Sequence, residues 1–284
     1  MAMRRQWADL SLLAVTLVWG ATFVVVKRAI ADLPPFPFLA VRFALAFASI
    51  LPLVWLNRSR WNRSLLPKAA LIGLFLFSGY AWQTVGLLYT SASNAGFITG
   101  LSVVIVPALV LLATRRLPRW PLLLSIVSAT AGLALLSLGE QFQPNRGDVL
   151  VFFCAISFAL HIFLVGRYAP DADAVLLTAG QLLTVAILSS LASLAFPAPL
   201  HFTATAWFGI LLTAIPATSL AFFIQTKMQQ FTTASHTAII FASEPVFSAI
   251  FAYLLAGERL TSRGLAGAAL VLFGMLVSEF AADK

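Results

Sequence analysis

A chain of 284 residues with a mean hydropathy of +0.95 is too apolar to fold around a core in water. Apolar residues make up 61% of it and charged residues 10%, against about 45–50% apolar in ordinary soluble domains, and a small soluble fold leaves much of its surface exposed. The net charge of +8 does not indicate nucleic acid, because Lys and Arg fall at the ends of apolar runs and form no basic face.

The solvent such a chain needs is lipid. In lipid the backbone must satisfy its own hydrogen bonds, which leaves helical bundles or closed barrels. Barrel strands would alternate over about ten residues; these runs last about 18–24, the length at which a helix crosses roughly 30 Å. The expected class is an all-α polytopic membrane protein with ten transmembrane helices.

In chain order the runs cover about 8–26, 36–56, 69–89, 93–113, 120–138, 148–166, 174–195, 205–226, 236–256 and 263–281. Breaks carry turn-forming or charged residues, such as Pro34-Pro35, Arg115-Arg116-Leu117-Pro118, Pro144-Asn145-Arg146-Gly147 and Gly257-Glu258-Arg259. Connections this short leave no room for a soluble domain. With ten spans both termini share a side. Placing them in the cytoplasm puts twelve Lys and Arg in inner segments and five outside, Lys27, Arg28, Arg146, Arg259 and Arg263. That bias sets the expected orientation, in a bacterial inner membrane. The start Met1-Ala-Met-Arg-Arg reads as a cytoplasmic flank, with no cleavable signal pattern. The single cysteine, Cys154, allows no intrachain disulfide.

Two segments resemble one another at a separation of about 142 residues. Ser91-Ala92-Ser93-Asn94-Ala95-Gly96 parallels Thr233-Ala234-Ser235-His236-Thr237-Ala238, and Gly132 falls on Gly274. Residues 1–142 and 143–284 then form two five-span repeats. An odd number of spans per half inverts the second, a plan in which the substrate site lies at midplane between the repeats.

Several side chains suggest what such a cavity contains. Glu244 is the one carboxylate near the middle of a run; an ionisable group there is costly, so a functional role such as proton coupling is the natural expectation, with a bond to a carbonyl freed by Pro245 as the structural alternative. Ser243 is its neighbour. Tyr80, Gln83 and Thr84 share a helical face, which suits either an amphipathic solute or, for Tyr80, an aromatic belt. His161, in the sixth run, can donate to a carboxylate, stack on a ring or bond a neighbouring helix. Arg42 can hold a substrate carboxylate or snorkel to the interface. His236 opens the ninth run and is expected at the interface. Asn94, Gly96 and Gly100, and Gly264 with Ala268, have the small-residue spacing that lets helices pack closely. No His, Cys, Asp and Glu cluster has metal-ligand spacing, so no metal, cofactor or catalytic residue is expected.

The motifs Trp19-Gly20-Ala21-Thr22-Phe23, Arg42-Phe43, Thr90-Ser91-Ala92-Ser93-Asn94-Ala95, Ser243-Glu244-Pro245 and Gly257-Glu258-Arg259-Leu260 follow in the order seen in the ten-span EamA branch of the drug/metabolite transporter superfamily, which the whole chain resembles. Within it the chain is most similar to YddG-type exporters of aromatic and hydrophobic amino acids. Arg115-Arg116 departs from the acidic residue such repeats often carry. The first run also lacks the glutamate of the related four-span multidrug transporters, so their coupling scheme does not transfer. The resemblance implies an inner-membrane exporter or facilitator of hydrophobic or aromatic amino acids and related metabolites, working by alternating access. Its partners would be that substrate and the bilayer, with oligomeric state open. Trp19, Tyr80, Gln83, His161, Ser243 and Glu244 are the expected lining. A sugar-phosphate exchanger would need more central cations than Arg42, and an intramembrane enzyme would need clustered acids, a His pair or an activated nucleophile.

Overall fold

The structure, a computed structural model, describes residues 2–137, 145–256 and 261–282. Among these it is helical, with no strand: α1 (Ala2–Asp32), α2 (Pro35–Leu56), α3 (Leu65–Gly86), α4 (Ala92–Gly100), α5 (Ser102–Thr114), α6 (Trp120–Ser137), α7 (Arg146–Tyr168), α8 (Ala174–Ala195), α9 (Ala204–Ala214), α10 (Ala221–Met228), α11 (Ala234–Phe241), α12 (Glu244–Ala256) and α13 (Ser262–Ala282). A π-helical turn, Ile215–Leu220, joins α9 to α10. The motif Gly257-Glu258-Arg259-Leu260 lies outside the described residues.

Among the described residues, eight helical stretches are long and apolar enough to cross a membrane: Gln6–Asp32, Pro35–Leu56, Leu65–Gly86, Asn94–Thr114, Arg146–Asp171, Ala174–Ala195, Ala204–Met228 and Ala234–Phe251. Trp120–Leu136 and Ser262–Ser278 are apolar but shorter. Large apolar side chains such as Leu112, Trp120, Leu194 and Phe208 stand exposed, which water would penalise and lipid does not. The chain is a multi-pass membrane protein.

Short polar side chains start the helices where the backbone leaves N–H groups without partners. Ser91 accepts from the Asn94 amide, Thr203 from Ala206, Asp173 from Val175 and Leu176, and Thr233 from His236. Asn145 and Asp148 form a reciprocal capping box at α7. Asp148, buried, also accepts from the Thr90 hydroxyl, and the Thr90 carbonyl accepts from Lys27 Nζ at 2.7 Å. One polar knot thus ties α1, the α3–α4 connection and the start of α7.

Packing crosses the middle of the sequence. The first helix, α1, packs on α9, α10, α11 and α12, whereas α7 packs on α3, α4 and α5. Helices α6 and α13 pair closely through glycine. A Cβ on Gly132 would sit 2.6 Å from the Gly267 carbonyl oxygen, and one on Gly267 would sit 2.7 Å from that of Gly132. Ser128 donates to the Leu270 carbonyl at 2.9 Å in the same seam. Of the small-residue positions expected to bring helices together, Gly96 meets only Pro245 at 3.9 Å, an ordinary contact. His236, expected at the interface, packs inside the bundle. It is buried, with Nδ1 2.7 Å from Ser278 Oγ and Nε2 3.1 Å from Asp9 Oδ1, so it joins α11 to α13 and α1.

Candidate functional site

The spans expected to be single helices at 93–113 and 236–256 are both interrupted, at Leu101 and at Ala242-Ser243. Between these interruptions lies a cavity of about 70 Å³. α1 contributes Trp19, Thr22, Phe23 and Val26; α2 contributes Arg42; α3 contributes Tyr80 and Gln83. Thr99, Gly100 and Ser102 border the first interruption, Phe241 and Glu244 the second, and Phe158, His161, Ile162, Phe222 and Gln225 complete the wall with Leu87.

Six rings, Trp19, Phe23, Tyr80, Phe158, Phe222 and Phe241, stand on the wall. Trp19 meets Phe241 edge-on at 4.9 Å between centroids and Phe222 tilted at 5.4 Å. Tyr80 meets Phe43, Phe158 and Phe222 edge-on at 5.0, 5.3 and 6.1 Å. Such edge-to-face contacts fix ring orientation and leave apolar faces for a solute. The indole N–H of Trp19 donates to the Ala217 carbonyl at 2.8 Å, in the π-helical turn. A wider turn disturbs the regular backbone hydrogen bonding there, so α1 reads a backbone acceptor of the other half directly.

Polar side chains share the wall with the rings. Gln83 Nε2 donates to Thr99 Oγ1 at 3.3 Å. His161 Nε2 lies 2.9 Å from Gln181 Oε1, and Gln181 Nε2 donates to Thr226 Oγ1 at 3.4 Å. Arg42 Nε donates to Thr218 Oγ1 at 2.8 Å and its Nη2 to the Tyr80 hydroxyl at 3.3 Å, with the guanidinium carbon 4.8 Å from the Tyr80 ring centroid. The half-buried Glu244 has no hydrogen bond or ion pair among the described residues.

Of the six residues expected from the sequence to line a cavity, Trp19, Tyr80, Gln83, His161 and Glu244 are brought together here. Ser243 lies outside the lining: its hydroxyl turns back to the Ile240 carbonyl at 2.6 Å and satisfies an acceptor at the helix interruption. Arg42, weighed as an interfacial snorkel, is instead interior at 2% exposure. The signal for it was an arginine placed well inside an otherwise apolar run. Among the described residues no three His, Cys, Asp or Glu side chains gather as a metal site would require.

Gly20 sets how closely α1 approaches the second interruption. A Cβ there would lie 2.9 Å from the Glu244 carbonyl oxygen, Phe247 Cβ and Ser248 N. A second, wider cavity of about 930 Å³ opens at the ends of α5, α7 and α10, lined by Arg119, Arg167, Gln229, Gln230, Thr232 and Thr233 among others. Between the two, Gln225 Nε2 donates to Gln229 Oε1 at 2.9 Å and Gln229 Nε2 to the Ile162 carbonyl at 3.0 Å.

The family model of the EamA-like transporter family matches residues 6–138 and again 145–280. The chain belongs to the EamA-like transporter family. An uncharacterized transporter of Archaeoglobus fulgidus is 34% identical over 274 residues, covering 96% of this chain and 86% of that protein. The uncharacterized transporter YoaV of Bacillus subtilis is 20% identical over 95% of this chain and 96% of its own. A solved crystal structure, 18% identical, superposes with a TM-score of 0.82 over 98% of both chains and shares the fold. The protein is thus an EamA-family membrane transporter.

Proposed function

We propose that this transporter carries hydrophobic, chiefly aromatic, amino acids and related metabolites across the inner membrane by alternating access. The observation that carries the reading is a cavity wall in which the six rings of Trp19, Phe23, Tyr80, Phe158, Phe222 and Phe241 alternate with polar side chains such as Arg42, Gln83 and Glu244. Rings stack on an apolar side chain while convergent polar groups orient the charged end. A single cation on the wall argues against sugar phosphates, whose paired charges need more.

Ten spans, as two inverted five-helix repeats, supply the motion in this reading. Support comes from the reciprocal packing of α1 and α7, from helix interruptions 142 residues apart and from the two family-model matches. Both termini lie in the cytoplasm, so the 930 Å³ cavity is an inner vestibule. The central cavity, at about 70 Å³, is smaller than the roughly 300–1,000 Å³ of ordinary ligand pockets. It therefore belongs to a contracted state, closed from the vestibule by the Gln225–Gln229–Ile162 bridge. Loading separates these groups, and Glu244 carries the coupling proton.

Purified protein in proteoliposomes tests this. Labelled phenylalanine is expected to cross faster than in empty vesicles, with tryptophan competing. No flux above empty vesicles for any amino acid would overturn it.

A further inference from the structure

Arg42 is buried at 2% exposure on the wall of the central cavity. A guanidinium presents five N–H donors and no acceptor, and stays charged. Its Nε–H is taken by Thr218 and one Nη2 hydrogen by the Tyr80 hydroxyl. No carboxylate pairs with it among the described residues, and three of its N–H groups have no protein acceptor. A buried cation without an anion is costly. The fork is also pre-aimed, because the Thr218 and Tyr80 bonds and the ring contacts to Phe43 and Tyr80 hold its plane.

We propose that Arg42 is the anchor for the cargo's carboxylate, so that the carboxylate is the charged group the site requires and the amine is dispensable. The ligand class is then apolar or aromatic monocarboxylates, amino acids and their deaminated analogues alike. This rests on reading the central cavity as the cargo site. A carboxylate matches the guanidinium fork with two parallel hydrogen bonds, whereas a primary ammonium adds a second cation beside the first. Thr218 and Tyr80 are positioning residues. Through them the cargo's charge touches the π-helical turn of one half and α3 of the other.

Binding of three ligands with the same ring and similar chain, phenylalanine, 3-phenylpropionate and phenethylamine, to the purified full-length protein tests this by calorimetry. The first two are expected to bind, and phenethylamine about tenfold or more weakly, the range of one lost charge-assisted hydrogen bond. Arg42→Gln is expected to abolish the preference, and Arg42→Lys to keep part of it. Should Arg42→Gln fail to fold, Thr218→Val keeps the charge and loosens the fork; it is expected to weaken both carboxylate ligands severalfold and leave phenethylamine unchanged. Phenethylamine binding as tightly as 3-phenylpropionate to the unaltered protein would overturn the anchor. So would a folded Arg42→Gln protein that retains the preference. Flux separates the two readings. Arg42-dependent binding without phenylalanine flux leaves the anchor standing and removes the transport reading; phenylalanine flux with no carboxylate preference removes the anchor alone.

Discussion

Two helices are interrupted beside the same cavity, α4–α5 at Leu101 and α11–α12 at Ala242-Ser243, and the polar groups at the two gaps are used differently. At the first gap Thr99 accepts from Gln83 and lies 3.8 Å from Cys154 Sγ, so the protein satisfies the hydroxyl from its own side chains. At the second gap Glu244 faces the cavity with no hydrogen bond or ion pair among the described residues. Ser102 and Glu244 are 142 residues apart, the separation of the two resembling sequence segments, and both line the cavity. The same backbone break therefore serves structure in one half and leaves a titratable group unspent in the other. In the proposed transport cycle, that unspent polarity is where a solute or a proton would be met.

The two gaps also differ in how tightly they are packed, and glycine substitution should break the comparison most strongly. A Cβ on Gly20 meets backbone atoms of α12, Glu244 O and Ser248 N, at 2.9 Å, whereas one on Gly100 meets only Leu133 side-chain carbons at 3.0 Å and beyond. Gly20→Ala is expected to cost about 1–3 kcal/mol through forced separation of α1 from α12. Gly100→Ala should be near neutral, since the gain of about 1 kcal/mol in helix propensity offsets a small side-chain shift. Thermal unfolding in detergent with parallel flux measurements checks both; equal losses would show the two gaps to be packed alike.

Next in size is the carboxyl itself. Glu244→Gln is expected to remove the dependence of flux on a pH gradient while leaving exchange of phenylalanine across equal pH. Ser102→Ala, at the matching position, should change neither by more than about twofold, as expected for one hydroxyl. A gradient response that survives Glu244→Gln would move the proton site elsewhere.

Smaller effects are expected at the polar bridges. Gln229→Ala removes the bond to the Ile162 carbonyl and should favour the state open to the vestibule, raising the accessibility of a cysteine placed at Thr22 on the central cavity wall. The shift should be about five- to tenfold in population, the worth of roughly one net hydrogen bond. Gln83→Leu removes the donor to Thr99 and should lower flux about two- to fivefold without altering pH dependence.

Much of this architecture was legible in the sequence because a helix in lipid must be long and apolar, and the apolar runs lie largely on helices, eight stretches of which are long and apolar enough to cross a membrane among the described residues. The two interruptions were not legible. Gly100-Leu101 and Ala242-Ser243 carry no charge, so they leave the hydropathy of their runs unchanged; only Pro245 hinted at one. Nor was the π-helical turn around Pro216, whose backbone receives Trp19. Trp19, Tyr80, Gln83, His161 and Glu244 could be named together because polar or large aromatic side chains are sparse inside apolar runs. Ser243 was named for its neighbour, and a serine inside a helix commonly bonds a carbonyl of the preceding turn, as it does here. Arg42 and His236 owe their burial to helices distant in the sequence. Depth along a span can be counted from a sequence, but which side of the helix faces protein and which faces lipid depends on the packing of other helices.

The central claim is that cargo passes between the two interruptions, and site-directed thiol block tests it most directly. In a Cys154→Ala background, Thr22→Cys places the protein's one thiol on the cavity wall. Modification by a small thiol reagent is expected to stop phenylalanine flux in proteoliposomes, and saturating phenylalanine is expected to slow that modification. Complete labelling of Cys at position 22 with undiminished flux would contradict the account.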